Sequence, residues 1–276
     1  MATSTTSPPG RRTPRRSTIW RGPQSPRRRL PVCERGPNEM TTPQPAMLKW
    51  DNETLSRFWG YYSQFPELYF SRQKGRDVIK FVSGMIPKNA MVLDYGCGPG
   101  HLLPYLLDEG YTVLGADISL ETIGSAVNVR GRDNFMGFDT IDGLLSSERK
   151  FDAIFLLEVI EHLDDQALEL TLSQARRLLK KGGLFVVTTP NEERLEDSMV
   201  YCPVANVIYH RWQHMRSWSA AQLADTLSSR GFHDVKVETR NFRDISTPKV
   251  LQAKLLISEI FNRFRKPQSI LATARG

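Results

Sequence analysis

From residue 76 onward, apolar positions along the chain switch between two spacings. Val78, Ile79 and Val82 share a helical face ahead of Pro87. Met91, Val92 and Leu93 then form a short apolar run that ends at Asp94 and reads as a buried strand. A glycine-rich turn follows, and then a helix with Leu103, Leu106 and Leu107 on one side, stopped by Gly110. Residues 111–117 read as a second strand, 120–130 as a helix and 135–138 as a third strand. Residues 151–157 make a strongly apolar fourth strand. Asp164 and Asp165 open a helix in which Leu168, Leu172, Ala175 and Leu179 recur at helical spacing, with Gly182 and Gly183 ending it. Residues 184–189 form a fifth strand, closed by Pro190. Ser219 and Gln222 make a capping box for a helix that ends at Gly231, and Val235 and Val237 mark a sixth strand. Strands separated by helices of this length require right-handed crossovers, so the chain reads as an α/β fold with a parallel sheet.

The two ends read differently. Residues 1–46 are rich in Pro, Ser, Thr and Arg and poor in large apolar groups, so they cannot offset their ordering entropy and read as a disordered tail. An Arg-rich stretch with no acid through residue 33 also fits a transit peptide, or an extension ahead of a start at Met40 or Met47. Residues 47–75 follow, with Phe58, Trp59, Tyr61, Tyr62, Phe65, Tyr69 and Phe70 close together. They suit a helix packing an aromatic face on the body or a lid over a ligand. Residues 76–246 hold the alternating core. At the other end, Thr247 and Pro248 cap a helix assigned to residues 247–276, whose Val250, Leu251, Leu255, Ile257, Ile260, Phe261 and Phe264 are flanked by Lys249, Lys254, Arg263, Arg265 and Lys266. Such a basic amphipathic helix suits peripheral membrane contact, docking on the domain, or a homodimer interface.

Charge changes the picture once it is localised. The 276-residue chain carries a formal net charge of +7. Removing the eight arginines of residues 1–33 leaves 29 basic against 30 acidic residues, so the body is close to neutral. A basic isoelectric point therefore gives no support to nucleic-acid binding by the folded part. Three cysteines in a chain of this length are not a disulfide framework and point to a reducing compartment, the cytoplasm.

The central chemical signal is Asp94-Tyr95-Gly96-Cys97-Gly98-Pro99-Gly100, placed between a strand and a helix. Glycines there permit a tight turn and close approach of backbone to ligand. The dinucleotide fingerprint needs its third glycine at the place held by His101, and Pro99 removes an N–H that would cradle a phosphate. The loop thus suits a ligand without a pyrophosphate. Asp117, at the end of the second strand, stands where a carboxylate grips a pair of ribose hydroxyls.

V-L-D-Y-G-C-G-P-G, with G-A-D closing the second strand, resembles the class I S-adenosylmethionine-dependent methyltransferases over roughly residues 78–240. The resemblance implies a Rossmann-like, seven-stranded, mostly parallel sheet with helices on both faces and one antiparallel strand, for which residues 241–246 are the candidate. It implies that Asp94, Gly96, Cys97, Gly98 and Gly100 surround the amino-acid end and ribose of S-adenosyl-L-methionine. It also implies that Asp117 and the adjoining Ile118 line the ribose side, and that Asp139 meets the adenine amino group. Cys97 itself reads as a small residue tolerated in the turn.

After the fourth strand stands Glu158-Val159-Ile160-Glu161-His162. On a helix these acids and the imidazole would share one face, beyond the carboxyl ends of the strands where ligands sit in open α/β sheets. His210 and His214 follow downstream. Carboxylates with imidazoles suit Mg²⁺ or Mn²⁺. Three readings stand: a metal site, a metal-free general base at His162, or a solvated face. Cys202 with His210 and His214 makes a poor zinc set, being only three ligands at irregular spacing. E-V-I-E-H-L with Thr189-Pro190-Asn191 resembles the ubiquinone-biosynthesis O-methyltransferases. E-x-x-E-H with a later His is similar to the small-RNA 3′-terminal 2′-O-methyltransferases, and that resemblance implies Glu158, Glu161, His162 and His214 as metal ligands.

No Asn/Asp-Pro-Pro-aromatic run follows the fourth strand; the chain departs there from the pattern of the amino-methylating DNA methyltransferases, and that comparison implies oxygen as the acceptor. The first functional expectation is therefore O-methylation of a small-molecule or lipid-linked metabolite, with residues 191–218 covering the substrate. The alternative is metal-dependent RNA 2′-O-methylation, against which the near-neutral body weighs. Outside methyl transfer stand a nicotinamide-dependent oxidoreductase, opposed by His101, and a non-catalytic binding module.

Overall fold

The computed structural model describes residues 44–118, 129, 131–244 and 266–276. Most of the tail, most of the helix expected over 120–130 and most of the amphipathic helix expected from 247 lie outside these residues. Ten strands and six α-helices are defined among the described residues. Strands β2 (Met91–Tyr95), β3 (Thr112–Asp117), β4 (Phe135–Thr140), β5 (Phe151–Leu157), β6 (Leu179–Pro190), β9 (His233–Arg240) and β10 (Ser269–Arg275) form one seven-stranded sheet. Its order is β4-β3-β2-β5-β6-β10-β9, and β10 runs antiparallel to both of its neighbours.

The expected architecture is present, but its antiparallel strand is not where the sequence reading put it. Residues 241–244 follow β9 without regular structure, and residues 269–275, assigned to the last helix, are β10 instead. Ile270, Leu271, Ala272 and Ala274 are almost fully buried between β6 and β9. A short apolar run cannot by itself declare whether it is helix or strand, and here sheet pairing decided. Helix α5 (Asp165–Leu178) also ends earlier than its periodicity suggested, because Leu179 already opens β6 and pairs with Phe151.

The sheet buries both faces. Leu93 and Tyr95 join Ile154, Leu156, Phe185 and Val187 in one core, and Val92 joins Ala153, Phe155, Leu184 and Val186 in the other. The two-residue period of a strand sends alternate side chains to opposite faces. Helix α2 (Phe70–Val82) and α3 (Leu103–Asp108) cover one face; α5 and α6 (Ala220–Ser229) cover the other. The capping box predicted for α6 is present, with Ser219 and Gln222 bonding reciprocally.

A second, three-stranded sheet was not expected. β1 (Ala46–Met47) pairs in parallel with β8 (Val207–His210), which pairs antiparallel with β7 (Met199–Cys202). Ala46, assigned to the tail, is thus part of the body. Helix α1 (Asn52–Tyr62) follows, capped by Asp51, whose side chain accepts from the N–H of Thr54. It has no buried residue. Trp50, just ahead of the helix, bridges it to the small sheet by packing on Tyr209 of β8 and on Phe58 of α1, and Tyr62 packs on Trp212 just beyond β8. The aromatic segment and the 191–218 segment therefore pack together.

Candidate active site

The chain leaves β2 for β3 on one side and later places β5 on the other, so β2 lies at the switch point of the sheet, where a crevice opens beyond the strand ends. Every predicted site residue except His214 lies at or just beyond the carboxyl end of one of the strands β2, β3, β4 and β5.

Gly96, Gly98 and Gly100 all have positive φ, a conformation that glycine adopts without a Cβ penalty. The turn is pinned to β3: the N–H groups of Gly96 and Cys97 both donate to the carbonyl of Ala116, at 2.8 and 3.0 Å. The N–H of Gly98 donates to Oδ2 of Asp117 at 2.9 Å. A Cβ on Gly96 would come within 2.8 Å of Val159 Cγ2, so the glycine allows the loop after β5 to touch the loop after β2. Around Gly98 the equivalent position is open, with nothing within 4 Å. Asp94 is buried beneath the loop, and its Oδ2 has no hydrogen-bond partner among the described residues. Burial, with Asp117 nearby, pushes its carboxyl up to about 8. Cys97 is buried, and burial with two neighbouring carboxylates pushes its thiol well up, the opposite of a reactive thiolate.

Asp139 is the penultimate residue of β4, and its Oδ1 accepts from the N–H of Thr140, which in turn caps α4 (Ile141–Ser146). Ile118 is exposed at the rim. His101 is buried against the ring of Tyr69, 4.9 Å between centroids, and burial together with Arg72 lowers it to about 4, so it is neutral.

The acid–histidine segment is not the helix that would have aligned its side chains. Glu158 has φ +52, which turns the chain sharply after β5, and a single 3-10 turn spans Ile160–His162. A non-glycine residue held there is strained by roughly 1–3 kcal/mol. The turn nonetheless brings the acids inward. Glu161 is 1% exposed, one of its oxygens accepts from Thr189 Oγ1 at 3.0 Å, and the other has no partner. Glu158 Oε1 is also buried without a partner. Burial raises Glu158 to about 7, opposed by the neighbouring Thr188 hydroxyl, and raises Glu161 well above the usual carboxylate range, with Glu158 adding to the effect. His162 is depressed to about 3 by burial and by His214, partly offset by the carbonyl of Gln213.

His214 joins this cluster through tertiary contacts. The N–H of Met215 donates to the carbonyl of Glu161 at 2.8 Å, Gln213 Nε2 donates to the carbonyl of His162 at 3.0 Å, and Arg216 Nε donates to that of Leu163 at 2.9 Å. These bonds strap 213–216 onto 161–163. One donor atom each from Glu161, His162 and His214 then lie within 4.8 Å of one another. A second group, Glu193, His210 and His214, satisfies the same distance. Cys202 is in neither group. Sequence reasoning singled out neither Glu193 nor Gln213, and named Trp59 only as one aromatic of a packing face or lid. The Trp59 ring stands edge-on to His162 at 5.1 Å. Glu193 lies two residues beyond Thr189-Pro190-Asn191, and no spacing marks it out.

The sequence profile of the methyltransferase domain matches residues 68–237. A ubiquinone biosynthesis O-methyltransferase of Cereibacter sphaeroides is 25% identical over 234 residues, 78% of this chain and 93% of the relative. One from Pelagibacter ubique is 32% identical over 108 residues, 38% of this chain, and the match spans 44% of that relative's length. Among solved structures, a SAM-dependent methyltransferase from Archaeoglobus fulgidus superposes with a TM-score of 0.53 at 22% identity, covering 79% of this chain and 99% of that one. The Burkholderia thailandensis 1,6-didemethyltoxoflavin-N1-methyltransferase gives 0.56 at 16% identity, covering 84% and 93%. These two likenesses speak to the fold. No helix among the described residues is long and apolar enough to cross a membrane. With a family match that spans most of the chain, laid over a glycine turn pinned to a carboxylate one strand away, the protein belongs to the methyltransferase-domain family and is a class I S-adenosylmethionine-dependent methyltransferase.

Proposed function

We propose that the chain O-methylates a small-molecule metabolite with the help of a divalent cation, Mg²⁺ or Mn²⁺, held by Glu158, Glu161, His162 and His214. The observation that carries this reading is the unpartnered, buried carboxylate oxygen of Glu161 beside the imidazoles of His162 and His214; Glu158, with a second such oxygen, lies outside that three-residue group and is its fourth candidate. Unpaired buried oxygens cost free energy, and a cation offsets that cost while holding both acids ionised. The names of the ubiquinone-biosynthesis relatives support oxygen as the acceptor atom.

The cofactor fits by the same reasoning. Asp94 Oδ2 is a buried acceptor without a partner beneath a glycine loop that faces open space at Gly98. The ammonium of S-adenosylmethionine would pair with Asp94, the ribose hydroxyls with Asp117, and the adenine amino group with Asp139, while Gly96 to Gly100 and Ile118 line the passage.

S-adenosylmethionine supplies a methyl group on a sulfonium, and a bound divalent cation would lower the pKa of an acceptor hydroxyl. The protein's part is positioning. The 2.8 Å approach a Cβ at Gly96 would make to Val159 shows how close the cofactor loop lies to the acid–histidine turn. Glu158, Glu161, His162 and His214 orient the acceptor oxygen, and Trp59 with the 191–218 segment excludes water. Proton removal falls to the cluster itself, with His162 neutral at working pH.

A labelled-donor assay on a metabolite pool, run with EDTA and again with Mg²⁺ or Mn²⁺ restored, tests this reading. Transfer to an oxygen acceptor only with metal is expected. Full transfer in EDTA removes the metal, and transfer confined to RNA would replace the small-molecule acceptor with a nucleic acid.

A further inference from the structure

We propose that Glu193 is a positioning residue that fixes the tautomer of His214 and so presents its Nε2 lone pair to the Glu161–His162 side of the site. The argument runs through hydrogen positions. The backbone N–H groups of Trp212 and His214 both donate to Nδ1 of His210, at 3.3 and 3.1 Å. A nitrogen that receives two donors carries the lone pair, so the ring proton of neutral His210 sits on Nε2. That Nε2 is buried, has no hydrogen-bond partner, and lies 3.5 Å from Oε1 of Glu193. The other oxygen, Oε2, contacts Nδ1 of His214. A carboxylate only accepts, so His214 carries its proton on Nδ1, and Nε2 is left as its donor atom.

This geometry also decides between the two acid–histidine groups. Glu193, His210 and His214 lie close enough to be taken for a second metal centre. His210 has no lone pair to offer there: Nδ1 is engaged by backbone and Nε2 is protonated. Both oxygens of Glu193 already face imidazoles. The group is therefore a bracket behind the site. The rings stack in series, His210 on His214 at 4.6 Å and His214 edge-on to His162 at 4.9 Å, which holds the planes as Glu193 holds the protons. Ligating histidines that donate their other N–H to a carboxylate are held in one orientation in this way.

The inference rests on the metal reading above only for what the His214 lone pair meets, and the test separates the two. In the full chain without added metal, ring ¹⁵N–¹H correlation spectra resolve its five histidines, with His210→Asn and His214→Asn giving the assignments. The expected result is Nδ1–H for His214 and Nε2–H for His210. An Nε2–H tautomer at His214 overturns the proposal whatever metal does. Mn²⁺ titration by calorimetry then gives the second readout. Glu193→Ala should weaken Mn²⁺ binding about 10- to 100-fold, and Glu193→Gln, which keeps an acceptor, by less, with S-adenosylmethionine affinity unchanged. Equal Mn²⁺ affinity in wild type and Glu193→Ala overturns the positioning role. A wild-type protein that shows the expected tautomers but takes up no Mn²⁺ supports the bracket and removes the metal reading instead.

Discussion

The backbone N–H of Gly98 donates to the carboxylate of Asp117, nineteen residues further on and one strand over, at 2.9 Å. Asp117 thus anchors the loop, and in the proposed reading it also meets the ribose. Asp117→Ala removes both functions. Cofactor affinity should fall by about 1–3 kcal/mol, the cost of orphaned polar partners. Calorimetric titration with S-adenosylmethionine checks it; unchanged affinity would remove Asp117 from the binding site.

Asp94 makes stability depend on pH. Its folded carboxyl is raised to about 8, from an ordinary 3.8, chiefly by burial. Between those values the folded protein keeps a proton that the unfolded chain has released, so the stability of the cofactor-free protein falls as pH rises through this window. Glu158 and Glu161, also raised by burial, act with the same sign. His101 and His162, depressed from 6.5 to about 4 and about 3, act with the opposite sign below 6.5, so thermal melts between 6.5 and about 8 should show this decline, with a smaller slope in Asp94→Asn. S-adenosylmethionine affinity should rise with pH over the same range, because the ammonium favours ionised Asp94. Identical slopes in wild type and variant would show that Asp94 does not govern the effect.

The acid–histidine turn gives a third expectation. Glu161→Gln keeps the volume of a buried side chain but removes the charge between Thr189 and His162. Turnover should drop at least 100-fold, while S-adenosylmethionine binding, read separately by calorimetry, stays within about twofold. Near-normal turnover would reduce Glu161 to a packing role.

Trp59 separates covering from packing. Its ring meets His162 at 5.1 Å from a helix that has no buried residue. Trp59→Ala should raise KM for the acceptor several-fold and leave both melting temperature and cofactor affinity close to wild type. A large loss of thermal stability with unchanged KM would make α1 a structural element.

The geometry of the proposed cofactor half was legible in the sequence because its residues sit at strand ends. Once β2 and β3 are recognised as neighbouring parallel strands, Gly96, Gly98 and Asp117 must approach one another. The acid–histidine half was legible as residue types but not as geometry. Glu158, Glu161 and His162 were expected to align on a helix, whereas the structure turns the chain at Glu158 with positive φ, a cost that only surrounding packing sustains. His214 was identified without any account of how it arrives, and Glu193 was missed, because bonds from 213–216 to 161–163 join segments some fifty residues apart.

By itself, the sequence determined the alternation of strands and helices, the glycine turn, the acid that answers it and the caps of α5 and α6. Each follows from spacing within a few turns of chain, where period and backbone sterics act locally. Tertiary structure alone decided that the last strand is Ser269–Arg275, that Ala46–Met47 joins β8, and which groups face each ring nitrogen in the histidine cluster. Those outcomes depend on which partner satisfies a buried backbone or imidazole group, and the partner lies far away in sequence.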